Sequence, residues 1–190
     1  MKQSDIIKIF SAIDKLLEKG RVILAIEGGS ASGKTTLTKM LEEKYGCTVF
    51  HTDDFFLQPH QRTPERYKET GGNLDRERFF DEVIVPLKEN KAVNYRRFDC
   101  KTMQLLPAVE ILPQKLTVIE GAYSLHPYFG DYCDLSIFLD ITPDLQRERI
   151  LNRNPDFADR FFYEWIPLEQ KYFSEMQIKQ RCTMIIRVVN

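Results

Sequence analysis

Apolar residues along this chain come in short unbroken runs, separated by longer stretches in which they recur every three or four positions. The runs RVILAIEG (21–28), CTVFHTDD (47–54), LTVIEGAY (116–123), DLSIFLDI (134–141) and TMIIRVV (183–189) lack strict alternation, which suits strands covered on both faces. Helical patterns occupy 34–45, 75–90, 143–153 and 160–181, and the opening MKQSDIIKIFSAIDKLLEKG spaces its apolar residues as an amphipathic helix does. Strands alternating with helices predict an α/β fold: a parallel five-stranded sheet with helices on both faces. The stretch KAVNYRRFDCKTMQLLP (91–107) breaks the rhythm with two short β-like runs around Asp99-Cys100-Lys101. It predicts a small hairpin beside the sheet, with an irregular loop as the alternative.

Composition narrows this picture. A chain of 190 residues, 43% hydrophobic, can bury one full core but is cramped for two. No repeat, low-complexity tract or linker marks a boundary, so residues 1–190 are expected to form a single domain. The 27 basic and 28 acidic residues nearly cancel, which leaves no overall field to recruit nucleic acid or an anionic membrane. Any polyanion must be held locally. No run approaches the roughly 20 apolar residues of a membrane span, and the charges spread through the first helix argue against a signal peptide. Cys47, Cys100, Cys133 and Cys182 lack CxxC spacing and read as reduced thiols. A soluble, cytoplasmic protein is expected, and a homo-oligomer is compatible with everything above.

The candidate chemistry begins at IEGGSASGKTT (26–36). Gly28, Gly29, Ser30, Ala31, Ser32, Gly33, Lys34 and Thr35 satisfy GxxxxGK[ST], with Thr36 following, and the motif lies between a predicted strand and a predicted helix. In that setting glycines let backbone N–H groups turn inward around a phosphate, and the helix N-terminus adds its positive end. Lys34 would reach the β and γ phosphates of a nucleotide and Thr35 would bind Mg²⁺. The DxxG and NKxD segments of a GTP switch are both missing from the sequence. A P-loop NTPase that transfers or hydrolyses phosphate is expected.

In open α/β sheets ligands gather outside the carboxyl ends of the strands, and two carboxylate sites fall there: Asp53-Asp54 after TVFHT, and Glu120 in TVIEGAY. Phosphoryl transfer to an alcohol needs one carboxylate to orient the hydroxyl and take its proton and another to help hold the metal. Asp53 is the candidate base and Glu120 the metal-side carboxylate. In DLQRERILNRNPDFADRFF, Arg149 and Arg153 share one helix face. A lid at about 144–160 carrying phosphate-directed guanidinium groups, and a solvated helix face with i,i+4 ion pairs, are both open. His51, His60 and His126 form no ligand spacing and read as structural or surface residues.

The P-loop, HTDDFF and VIEGAY together resemble the uridine kinase and nicotinamide riboside kinase group of P-loop kinases, over Val22 to about Ile186. The resemblance implies ATP and Mg²⁺ as cofactors and transfer of phosphate to the 5′-hydroxyl of a ribonucleoside or ribosyl compound. It matches Asp53 to the family's catalytic base. It matches Asp75, which on residue chemistry alone is a helix N-cap, to an aspartate that grips ribose hydroxyls. It sets Tyr95 and Arg97, with Arg96 and Asp99, in the hairpin that contacts the base, inside an acceptor-side insertion at about 55–107. Arg149 and Arg153 fall in the lid. Asp54 stands where a serine often follows the base, and DDFF is closer to the nicotinamide riboside kinases. Kinases of non-nucleoside alcohols, resembling phosphoribulokinase or pantothenate kinase, are the alternative, and a regulatory nucleotide-binding ATPase is the reading from another class.

Overall fold

The structure is a computed structural model that describes residues 1–189. Its strands, in chain order, are β1 (Val22–Gly28), β2 (Thr48–His51), β3 (Val93–Tyr95), β4 (Phe98–Asp99), β5 (Gln104–Leu105), β6 (Val109–Ile111), β7 (Leu116–Glu120), β8 (Leu135–Asp140) and β9 (Met184–Arg187). Its helices are α1 (Gln3–Leu17), α2 (Lys34–Tyr45), α3 (Pro64–Lys68), α4 (Arg76–Phe79), α5 (Val85–Lys88), α6 (Pro143–Arg153), α7 (Ala158–Arg160), α8 (Ile166–Glu175) and α9 (Ile178–Arg181). The main sheet has five strands in the order β2-β7-β1-β8-β9, every pair parallel. All five predicted strands are present, and the fold is that of a P-loop NTPase.

Alternating side chains divide two cores. Val22, Leu24 and Ile26 of β1 point to one face, where Ile9 and Ile13 of α1 and Leu37 and Leu41 of α2 cover them. Ile23 and Ala25 point to the other, against Phe50, Phe79, Val83, Tyr172 and Phe173. Burial on both faces is why these runs read as unbroken hydrophobic segments.

Three local predictions need revision. β2 stops at His51 rather than running to 54, because Thr52–Asp54 curl into a 3₁₀ turn. The hairpin runs beyond 107: β3 pairs antiparallel with β6, and β4 with β5. The helices predicted over 75–90 and 160–181 are each interrupted by a π turn, at Phe80–Ile84 and Phe161–Trp165, and in each case a proline sits within two residues of the turn's end, Pro86 in α5 and Pro167 in α8. Proline brings no N–H and its ring crowds the preceding turn, and a widened turn accommodates it without ending the helix.

Candidate active site

The register brings the chemistry together. Glu120 at the end of β7 pairs with Ile26 of β1 on one side and His51 of β2 on the other, so the residues after each strand emerge side by side. They frame a cleft of about 810 Å³ lined by the P-loop, Asp53, Asn73, Glu120 and Tyr123 together with Arg149, Arg153, Arg160 and Trp165. Gly121 makes the approach of β2 and β7 possible: a Cβ there, at φ 136°, would lie 1.9 Å from Thr52 Oγ1.

The P-loop leaves β1 at Gly28, where φ is 145° and a Cβ would sit 2.7 Å from the carbonyl oxygen of Leu139. It closes at Gly33 (φ 97°), the N-cap of α2, which carries no side-chain cap, so the first turn's N–H groups keep their capacity for an anion. Lys34 Nζ donates to the carbonyls of Gly28 (2.8 Å) and Gly29 (3.1 Å). Ser32 is 1% exposed, and its Oγ has no hydrogen-bond partner. An unpartnered buried hydroxyl in a glycine-rich loop that opens a helix fits a bound phosphate.

Thr35 Oγ1 donates to Glu120 Oε1 at 3.3 Å, and His51 Nδ1 meets the same oxygen at 2.9 Å. Burial pushes the Glu120 carboxyl up, but the His51 hydrogen bond and the Lys34 charge outweigh it, and its pKa falls below the ordinary glutamate value. His51 is raised in return, by its bond to Glu120. Glu120 is thus held ionised beside a hydroxyl. No cluster of three or more His, Cys, Asp or Glu side chains able to hold a metal exists among the described residues. A hydroxyl with one neighbouring carboxylate suits Mg²⁺, which keeps most of its shell for water and phosphate oxygens.

Asp53 stands in the turn after β2 with its side chain open to the cleft. Asp53 is exposed within the cleft, and the protein around it raises its pKa above the usual aspartate value, chiefly by partial desolvation, against the pull of Lys34 and with added repulsion from Glu120. A carboxylate with raised basicity suits proton abstraction. Its neighbour has a different fate. Asp54 accepts from the Tyr95 hydroxyl at 2.7 Å and from Arg97 Nε at 3.0 Å. Tyr95 is 6% exposed and packs on Phe50 and Phe55, so the structure places it in the core, outside the residues that line the cleft. Arg97 is likewise committed to Asp54 and does not line the cleft. The doubled aspartate divides its work: Asp53 faces the cleft, and Asp54 anchors the hairpin.

Asp75 is also away from the lining. It is 2% exposed, caps α4 by accepting from the Arg78 amide at 3.3 Å, and pairs with Arg78 Nε at 3.2 Å. Both carboxylate oxygens are spent within the protein, and Asn73, two residues earlier, is the one that reaches the cleft. Arg149 lines the cleft and donates to the Ala31 carbonyl at 3.3 Å; Arg153 and Arg160 line it too. Arg147 turns away and stacks on Phe162, 4.5 Å from the ring centre.

Several site residues carry no motif in the sequence. Histidine spacing marks His51 as structural or surface, yet it orients Glu120. Tyr123 lines the cleft with φ at 76°, a backbone conformation that costs a non-glycine residue energy and concentrates at functional sites. Glu169 and Gln146 both reach the P-loop. Only the position of Glu120 three residues before Tyr123 hints at any of these.

Beneath the loop, Glu27 is fully buried and accepts from the Gly28 and Leu125 amides and from the Ser124 and Tyr172 hydroxyls. Burial raises its pKa from 4.5 to about 7, against the Gly28 and Leu125 amides, the Lys34 charge and the Tyr172 hydroxyl. The folded protein therefore holds a proton there that the unfolded chain releases above 4.5. Its contribution to stability is full below that value and is lost as pH rises through 7, to the extent of about 3 kcal/mol. Melting curves of wild type and Glu27→Gln at about pH 5 and about pH 8 check this: the wild type should lose stability relative to the variant as pH rises, and a constant difference would contradict the shift.

The family profile described as "Phosphoribulokinase / Uridine kinase family" matches residues 23–161. A uridine kinase of Staphylococcus aureus (strain JH9) is 28% identical over 146 residues, 72% of this chain and 70% of that one. The solved structure of a possible uridine kinase from Bacillus stearothermophilus superposes with a TM-score of 0.65 at 21% identity, covering 94% of this chain and 99% of the other. D-glycerate 3-kinase from Cryptococcus neoformans superposes with a TM-score of 0.66 at 12% identity, covering 98% and 96%. At these identities the two superpositions speak for the fold alone.

Proposed function

The chain belongs to the phosphoribulokinase/uridine kinase family, and from that membership we propose that it transfers the γ-phosphoryl group of ATP, with Mg²⁺, to the primary 5′-hydroxyl of a ribonucleoside or ribosyl compound. The observation that carries the reading is Asp53, a carboxylate exposed in the same cleft that the P-loop lines. A hydrolase activates water, whereas here the space beyond Asp53 is walled by Phe56, Asn73 and Tyr123. Two aromatic rings with an amide between them suit a planar base carried on a hydroxylated sugar.

In this reading Asp53 accepts the hydroxyl proton as the acceptor oxygen attacks the γ-phosphorus in line, and the bond from that phosphorus to the β,γ-bridging oxygen breaks to release ADP. Lys34 sits between the β and γ phosphates, and the P-loop amides receive the charge that accumulates on the oxygens. Thr35 and Glu120 would hold Mg²⁺, which would supply positive charge against the phosphate oxygens. Arg149 and Arg153, which line the same cleft, neutralise the transferring group.

Because the same fold serves a D-glycerate kinase, the acceptor is tested directly. Turnover should be measured with uridine, cytidine, nicotinamide riboside, pantothenate, D-glycerate and ribulose 5-phosphate in the presence of MgATP. A ribosyl compound without phosphate should lead, and preference for glycerate or a sugar phosphate would overturn the nucleoside reading. Asp75 offers a sharper check. Since its oxygens are committed to Arg78, Asp75→Asn should cost about 1–3 kcal/mol of stability and change KM for uridine and 2′-deoxyuridine equally. A larger effect on the ribonucleoside would return Asp75 to the sugar site.

A further inference from the structure

The two helices that flank the arginine-bearing segment both end on one residue of the P-loop. Gln146, in the second turn of α6, donates Nε2 to the Ser30 carbonyl at 2.8 Å. Glu169, in the first turn of α8, accepts from the Ser30 amide at 2.9 Å and from Ser30 Oγ at 2.6 Å. Ser30 thus spends its amide, its carbonyl and its hydroxyl on the two sides of residues 147–165, which carry Arg149, Arg153 and Arg160. Both anchors are buried, Gln146 at 4% and Glu169 at 6% exposure. One turn further along α8, the Tyr172 hydroxyl donates to Glu27 at 3.0 Å, so the same helix grips the loop on both sides of Gly28-Gly29.

Gly29 makes room for this arrangement. A Cβ at that position would lie 3.0 Å from Gln146 Nε2 and 3.3 Å from Glu169 Oε2, so the two anchors converge over a residue without a side chain. The cost is unusual for an anion site: a carboxylate lines the same cleft as Lys34 and Asp53. It takes a loop amide that would otherwise be free for phosphate, and because the Ser32 amide donates to the Gly29 carbonyl at 3.2 Å, the amides of Ala31, Gly33, Lys34 and Thr35 are left to form the cradle.

We propose that Glu169 is a positioning residue that latches the lid to the P-loop through Ser30, setting the lid arginines at a fixed place relative to the phosphates. The proposal rests on the nucleotide-binding reading of this cleft. Its chemistry is that of geometry, since displacement of a charged group by about 1 Å can cost on the order of 100-fold in rate. A glutamine can replace the latch: its Oε1 accepts the Ser30 amide while Nε2 donates to Ser30 Oγ, which turns to accept. Alanine cannot.

Trp165 is the sole tryptophan and follows the lid, lining the cleft, so its fluorescence reports on nucleotide bound there and on the placement of the lid. Titrating the wild type with the magnesium complex of AMPPNP, a nonhydrolysable ATP analogue, should give a saturable change; a wild type without any response overturns the nucleotide reading and the latch with it. Where the wild type responds, Glu169→Ala should lose at least half of the amplitude. With any acceptor the enzyme turns over, Glu169→Ala should also lower kcat at least roughly tenfold while KM for ATP stays within about threefold. Glu169→Gln should recover both to within about threefold of wild type. Ser30→Ala keeps the amide bond and serves if the alanine variant of Glu169 does not fold; it should lower kcat roughly two- to tenfold, with less than additive loss when combined with Glu169→Gln. An alanine variant with wild-type kcat and amplitude and a lower Tm alone, a glutamine variant as impaired as alanine, or an unchanged Ser30→Ala would each overturn the latch.

Discussion

Lys34→Ala is expected to abolish phosphoryl transfer, lowering kcat/KM by on the order of 1,000-fold or more. The lysine is the positive charge that Glu27, Asp53, Glu120 and Glu169 all feel. It rests on two carbonyls of the loop it belongs to, within reach of the space those amides enclose. In transfer it meets charge that develops between the β and γ phosphates, where a fixed cation in a water-poor cleft acts most strongly. Alanine removes that cation and leaves Asp53, Glu120 and Glu169 lining the cleft around an anionic substrate, so nucleotide affinity should fall along with turnover. Steady-state rates, with melting curves to confirm the fold, check the result, and near-wild-type turnover would sink the phosphate-loop assignment.

Asp53→Asn is expected to leave nucleotide binding nearly intact while lowering kcat by on the order of 100- to 10,000-fold, the range for losing a general base. Asparagine preserves shape and can still touch the acceptor hydroxyl, but it cannot take the proton. Asp54 is no substitute, since Tyr95 and Arg97 hold both of its oxygens. The raised pKa of Asp53 also has a sign: the base works only when deprotonated, so activity should fall as pH drops through a value above the ordinary aspartate range. In the asparagine variant that acid limb should vanish with the rate. Loss of nucleotide affinity at unchanged kcat would instead make Asp53 a metal-side residue.

Lys34 and Asp53 are both legible in the amino-acid sequence, and the contrast with the rest of the site has a physical cause. Five apolar runs and the helical stretches between them are enough for a doubly covered parallel sheet, because burial on both faces writes itself into local composition. The P-loop is legible because its chemistry is local: glycines, a lysine and a hydroxyl within eight residues, opening a helix. Asp53 and Glu120 follow from the rule that ligands gather at strand ends.

What the sequence by itself could not do was apportion side chains that look alike. Asp53 and Asp54 are adjacent and chemically identical, yet the 3₁₀ turn at Thr52–Asp54 sends one into the cleft and the other under the hairpin. Asp75 has the profile of a sugar-binding carboxylate and of a helix cap alike, and only the tertiary structure shows it capping α4 and paired with Arg78. His51 gains its place only because β2 lies beside β7 in register with Glu120. Glu169, 139 residues from Ser30 in the chain, meets the loop only through the packing of α8 over the sheet. Hydrophobic period and short motifs are properties of neighbours in sequence, and they determined the fold and the phosphate loop. Which carboxylate is free, which is paired and which reaches across to the loop depends on contacts between residues far apart in the chain, and those exist only once the sheet has brought its strand ends together.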